Sequence, residues 1–310
     1  MSEVVCEDLN LAIDDLRGKG FRVDLIYPAD DPHTVVLSRG GESARLTTRP
    51  GAAAPSPHPP SFEPEFVLTR GGASGLGRAG MNYRDLIPGR LGGSYIASHI
   101  TIPDGGPVAD WVHYHRIRFQ MICVRKGWVR LVYEDQGEPF VMKAGDLVLQ
   151  PPEIRHRVLE SSAGLEVVEI GCPSLHATIA DHVMELPNSR LDPDRNFRGQ
   201  RFLLHVASET PWTPFAGGEA QETAMSAATK GFAEVRTIRS AGSDIDFPRH
   251  DGELVFGFVL EGSGRLNFRG GHEIGSSSAF AIPPDEEWSL SAMSDDFRLL
   301  HVTTCKLSED

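Results

Sequence analysis

Two rhythms run through the apolar positions of this 310-residue chain. Residues 9–19 carry Leu11, Ile13 and Leu16 at the spacing of a short amphipathic helix, and Gly20 stops it. After that, alternation dominates, the period that sends every second side chain to the same face of a strand. Residues 21–27, 34–37 and 44–48 read as three strands. Further strands are expected at 94–102, 119–124, 128–133, 139–141, 146–150 and 165–170, divided by Gly, Pro and Asp turns. Residues 176–186 read as a second helix, and another β-rich stretch runs over 202–304. Many short strands at regular intervals predict a mainly β fold of the sandwich or barrel kind.

The two β-rich stretches repeat one another. GWVRLVY (127–133) aligns with GSGRLNF (262–268), DLVLQPPEIRH (146–156) with SAFAIPPDEEW (278–288), and LEVVEI (165–170) with FRLLHV (297–302). Three matches in order, at offsets of about 135, 132 and 132 residues, argue for duplication of a whole domain rather than for a solenoid. The length agrees with two domains. The segment PGAAAPSPHPPSFEP is too rich in proline to build a core. The expected division is a small α+β segment at 1–49, a linker at 50–64, a first domain at 65–187, a connection at 188–201 and a second domain at 202–310.

The first copy carries His113, His115 and Gln120, then Gly127, Gly145, Pro151 and His156. In a strand, residues two apart share a face, so His113 and His115 send both imidazoles into one interior. Gln120 and His156 arrive from later segments, and four such donors suit a divalent ion with open positions. The spacings His-x-His-x4-Gln-x6-Gly and Gly-x5-Pro-x4-His resemble the two motifs of the cupin superfamily. Gln120 stands where that pattern has Glu, Glu153 where it has Gly, and Glu160 where it has Asn; the first Gly, Gly106, is displaced by one position.

The resemblance implies two tandem cupin-type barrels of the double-stranded β-helix or jelly-roll kind. It also implies one divalent metal ion (Fe, Zn, Mn or Ni) in the first barrel, on His113, His115, His156 and Gln120. Replacing the usual carboxylate with Gln120 leaves a neutral donor set. That set should make bound water more acidic and favour an anionic substrate. In the second copy Pro248 stands at the position of His113, Val255 at that of Gln120 and Trp288 at that of His156. Only His250 remains, matching His115. The second barrel is therefore expected to be structural, dimer-forming or ligand-binding through apolar contacts.

Trp111, Arg130 and His99 are candidates for the substrate pocket: Trp111 at its mouth, Arg130 as a partner for an acid, His99 as a base on a neighbouring strand. Cys6, Cys123, Cys172 and Cys305 form no CxxC and are expected as free thiols. A net charge of −13 disfavours nucleic acid as a partner. No run of apolar residues is long enough to span a membrane. The acidic first residues lack signal-peptide order, so a cytoplasmic location is expected. The resemblance then implies a mononuclear metal-dependent enzyme acting on a small organic molecule, a dioxygenase if the ion is iron or a lyase or isomerase if it is zinc or manganese, with a homodimer compatible. The alternative is a non-catalytic sensor or metal-storage protein.

Overall fold

A computed structural model describes residues 2–77 and 80–305. The last five residues assigned to the second domain lie outside the described residues. The described strands form four sheets of ten, seven, seven and four strands. The ten-stranded and one seven-stranded sheet make the first unit, and the other two make the second.

Alternation explains how the central strands are used. In the strand Phe119–Lys126, Phe119, Met121 and Cys123 are fully buried and belong to a core that also contains Phe232, Val235, Phe256 and Phe258. The intervening Gln120 and Ile122 face the interior of the first unit. Leu254–Glu261 repeats this arrangement: Leu254, Phe256, Phe258 and Leu260 enter the shared core, while Val255 and Val259 pack inside the second unit. The two seven-stranded sheets thus meet across one apolar core. A strand buried on both faces reads as continuous apolar sequence, as LVFGFVL does.

The units also exchange edges. Val67–Thr69 pairs with Ala279–Ile282 of the second unit, and Leu203–His205 pairs with Leu147–Leu149 of the first. Sequence boundaries at residues 65 and 202 therefore do not coincide with sheet membership. Periodicity cannot reveal this, because a strand's pattern says which face is buried and not which partner it joins.

Of the two expected helices, the first forms and the second does not. The first helix is Leu9–Gly18, capped by Asp8, which accepts from the backbone N–H of Leu11 at 3.0 Å. Leu9 and Ile13 form its buried face, and Leu11 points to solvent. Residues 176–186 form no helix. Thr178–Ala180 is a strand, paired on one side with His113–His115 and on the other with Arg22–Tyr27. Tertiary pairing overrides a local helical pattern here: Val183, which a helix would have to bury, is 91% exposed. Asp181 instead folds the chain into a turn by accepting from the N–H groups of Val183 and Met184.

That strand changes the status of the first 49 residues. Arg22–Tyr27, Thr34–Arg39, Glu42–Thr47 and Ser2–Val5 continue the same ten-stranded sheet. They are an extension of the first unit rather than a separate α+β segment.

Packing at Gly257 tests the interior of the second unit. A Cβ there would lie 2.2 Å from the ring of Phe280, itself fully buried. Gly257→Ala is expected to cost about 1–3 kcal/mol by overpacking. Thermal denaturation should show a midpoint lowered by a few degrees, with the metal content of the first unit unchanged.

Candidate metal centre

His113 and His115 lie on the three-residue strand His113–His115, and His156 opens His156–Ser161. His113 and His156 are direct cross-strand partners, with ring centroids 4.2 Å apart. One nitrogen from each of the three rings falls within 4.8 Å of the others, and all three residues are buried. Alternation gives the reason. His113 and His115 share a face, while Tyr114 between them turns away and lies under the Arg155 guanidinium at 4.2 Å.

Oxygen atoms hold the rings from behind. The Nδ1 atoms of His113 and His156 donate to the backbone carbonyls of Trp111 and Ile154, at 2.7 and 3.1 Å. This puts the proton on Nδ1 and the lone pair on Nε2, as metal-ligating histidines require. Asp110, buried, stands 3.6 Å from His113 Nδ1 and is fixed by the N–H of Val158. The Nδ1 of His115 meets the Thr178 hydroxyl at 3.3 Å. Tyr133 lies opposite His156 and stacks against it at 5.5 Å. Burial pushes its phenol pKa well up, so the ring remains neutral.

Gln120 comes from the facing sheet and lines the same cavity. Its Nε2 donates to Glu169, which lies on the same face two positions along the neighbouring strand Leu165–Cys172. This contact fixes the amide orientation and directs Oε1 elsewhere. Among the described residues, that buried Oε1 has no hydrogen-bond partner. An orphaned buried oxygen is costly unless something binds it. Together with the Nε2 lone pairs of His113 and His156 and a ring nitrogen of His115, it is what a bound cation would satisfy, so the donor set fits a divalent metal. Glu169 also corrects the expectation of a site without a carboxylate: the acid has moved one layer behind the amide. Residue identity at position 120 alone gave no sign of it.

The cavity is small, about 80 Å³. Its polar lining is His113, His115, His156, Gln120, Gln150, Glu169 and Tyr83. The rest of the wall is largely apolar, with Met81, Ile100, Ile122, Leu131 and Val167 among it. No Arg or Lys among the described residues lines it. Ala29, from the N-terminal extension, does.

The other candidates lie elsewhere. Arg130 alternates with the cavity residues Val129 and Leu131, so it points outward and pairs with Glu160 at 3.3 Å, both about 40% exposed. His99 shares its face with Ala97, which enters the core between the units. Its ring lies 5.7 Å from Phe258 and pairs with Glu166 at 2.9 Å. Burial and then Arg84 lower its pKa. Trp111 packs edge-on against His113 and against the N-terminal apolar cluster, outside the cavity lining. Glu153, at the motif's glycine position, has φ +65° and donates its N–H to the His115 carbonyl at 2.9 Å. A left-handed residue is what glycine would supply there.

The second unit repeats the frame without the ligands. Asp285 has φ +62° and donates its N–H to the His250 carbonyl at 2.8 Å, as Glu153 does to His115. Phe247, not Pro248, is the residue paired with Trp288, so Phe247 takes the place of His113. Cys123 and Cys172 are buried, which pushes their thiols up to about 12 and keeps them protonated.

No protein-family model matches the sequence, and no curated protein does. Solved structures do match. Ylba from E. coli aligns at a TM-score of 0.57 and 12% identity, over 81% of this chain and 95% of that one. Oxalate decarboxylase from Bacillus subtilis, determined at pH 4.6, aligns at 0.57 and 11% identity, over 80% and 78%. A deletion variant of the same enzyme aligns at 0.58 and 11% identity, also over 80% and 78%. At such identity the likeness establishes the fold: a mainly β, bicupin-type architecture, here with one triad of buried histidines.

Ligand substitutions separate the two units. His113→Ala and His156→Ala should each lose most bound metal by elemental analysis, whereas His250→Ala should lose none. Gln120→Ala and Glu169→Leu should each weaken metal binding by roughly 10–100-fold in a chelator competition. Because Glu169 acts through the amide, the double variant should be little worse than either single one.

Proposed function

We propose that this chain is a metal-dependent bicupin enzyme acting on a small organic molecule, with dioxygenase chemistry the favoured reaction. The observation that carries this is the buried meeting of three Nδ1-anchored imidazoles with the orphaned Gln120 oxygen in a mostly apolar cavity. A divalent ion held there supplies a Lewis-acidic centre for an oxygen donor and, when it is iron, a route to oxygen chemistry.

The residues of the chain do the rest. His113, His115 and His156 would hold the ion with open positions, and Gln120 would complete or adjust that set. The apolar walls, Ile100, Ile122, Leu131 and Val167 among them, exclude water and accept the carbon skeleton of the substrate. About 80 Å³ admits only a few non-hydrogen atoms beside the ion unless the walls yield. The named activity of the Bacillus subtilis neighbour would bring a small dianion to the site. Glu169 and the absence of Arg and Lys among the described lining residues argue against that substrate class. A neutral or singly charged molecule that reaches the ion through a hydroxyl or enolate oxygen suits the cavity better.

Protein purified without an affinity tag should contain about one divalent ion per chain. With iron present, oxygen uptake should appear with a member of a panel of small diketones, catechols and hydroxy acids, and should vanish in His156→Ala. Saturable binding without turnover would favour the non-catalytic reading. A metal-free protein that takes up no iron, zinc, manganese or nickel would sink both.

A further inference from the structure

The interior of the second unit holds a cavity of about 340 Å³, larger than the metal cavity of the first. It occupies the corresponding place in the repeat. Phe247 and Trp288 form the cross-strand pair that His113 and His156 form in the first unit. Val255 stands for Gln120, and His301 stands for Glu169. Losing the metal ligands did not fill the space. Phe247 and Trp288 stack on each other at 3.7 Å with their planes nearly parallel, and Phe215 flanks them at 6.0 Å. A void of this size in a purely structural interior forfeits packing contacts.

His301 is the second observation. It is 4% exposed and lines this cavity; its ring lies 5.1 Å from that of Phe247 and 5.8 Å from that of Trp288, and its imidazole nitrogens make no hydrogen bond with any described residue. Burial, then Arg236 and His250, push its pKa down to about 3, so the imidazole is neutral across the physiological range. A neutral imidazole offers one donor and one acceptor, and neither is used within the protein, so both are open to a molecule that enters the cavity. Glu234, Arg236, Arg249 and His250 also line the cavity, but the charges are paired within the protein: Arg236 with Glu222 and Glu234, its guanidinium over Phe215 at 4.8 Å, and Arg249 with Glu287 at 3.1 Å. The balance favours a neutral ligand over an ion.

We infer that the second unit is a metal-independent binding site for a small, neutral, planar molecule with one hydroxyl group, packed on the Phe247–Trp288 pair and hydrogen-bonded by His301. This inference does not depend on the activity proposed for the first unit.

Phenol and toluene are suitable probes because they differ only in the group His301 would read. Calorimetric titration of the intact protein should show one saturable phenol site, with toluene at least about tenfold weaker. In His301→Leu that preference should fall to near unity. In His301→Gln, which keeps a hydrogen-bonding group and guards against a packing artefact, it should persist. In His156→Ala phenol should bind as in the wild type. The inference is overturned by absent saturable binding, by an unchanged preference in His301→Leu, or by loss of phenol binding in His156→Ala, which would place the probe in the first unit.

Discussion

The two-residue period of the strand Phe119–Lys126 is the constraint on which the rest of the molecule depends. One face supplies Phe119, Met121 and Cys123 to the core shared with the second unit, and the other delivers Gln120 and Ile122 to the cavity. A slip of one residue would put Gln120 into apolar packing and a phenylalanine among the imidazoles. Site and interface are therefore fixed by the same register. The second unit is then more than a passenger: its sheet holds the strand that carries a candidate ligand. Across this junction Arg118 pairs with Glu253 at 3.1 Å, and the Tyr95 hydroxyl donates to the same carboxylate at 2.8 Å.

A similar argument runs through the other sheet. Arg22–Tyr27 pairs with Thr178–Ala180, which pairs with His113–His115. Thr178 lies opposite His115 and meets its Nδ1. The N-terminal strands thus reach the site through one intervening strand, and Ala29 reaches the cavity wall itself. Ligand orientation in such a site relies on groups behind the ligands, because an imidazole free to rotate loses both its tautomer and its aim. Here those groups come from Trp111, Ile154 and Thr178, which are scattered through the chain and share no motif.

That scatter explains what the sequence did and did not disclose. The histidine triad was legible because strand alternation and the Pro-Pro turn fix where His113, His115 and His156 must point. The duplication was legible because turns and buried strands keep their spacing. Glu169 was not, since its partnership with Gln120 exists only across a strand pair. Arg130 and His99 looked available because proximity in sequence says nothing of parity; counting from Val129 or from Ile100 would have turned both away from the cavity. The strand at 178–180 was hidden by a helical pattern that local spacing supports and tertiary pairing overrules. The exchanged strands 67–69 and 203–205 were invisible for the same reason, because a three-residue segment carries too few positions to name its partner.

The two interiors show what happens when one frame serves two environments. The turn before His156 and the turn before Trp288 share their left-handed residue and their hydrogen bond to the carbonyl of a preceding histidine, so the frame of this turn recurs in both. Between the paired residue and the hydrogen-bonded carbonyl the second unit holds one residue more, Phe247 to His250 against His113 to His115, and the side chains differ throughout. In the first unit, amide replaces carboxylate at position 120 while Glu169 restores an acid behind it, keeping the polar set connected. In the second, aromatic rings stand where the first has imidazoles, and His301, at the position of Glu169, is kept neutral by burial, with its ring against Phe247 and Trp288. A connected polar set and a neutral imidazole place opposite demands on what enters. The first asks for a cation that several donors can share, and the second for a molecule whose own hydroxyl completes a single hydrogen bond.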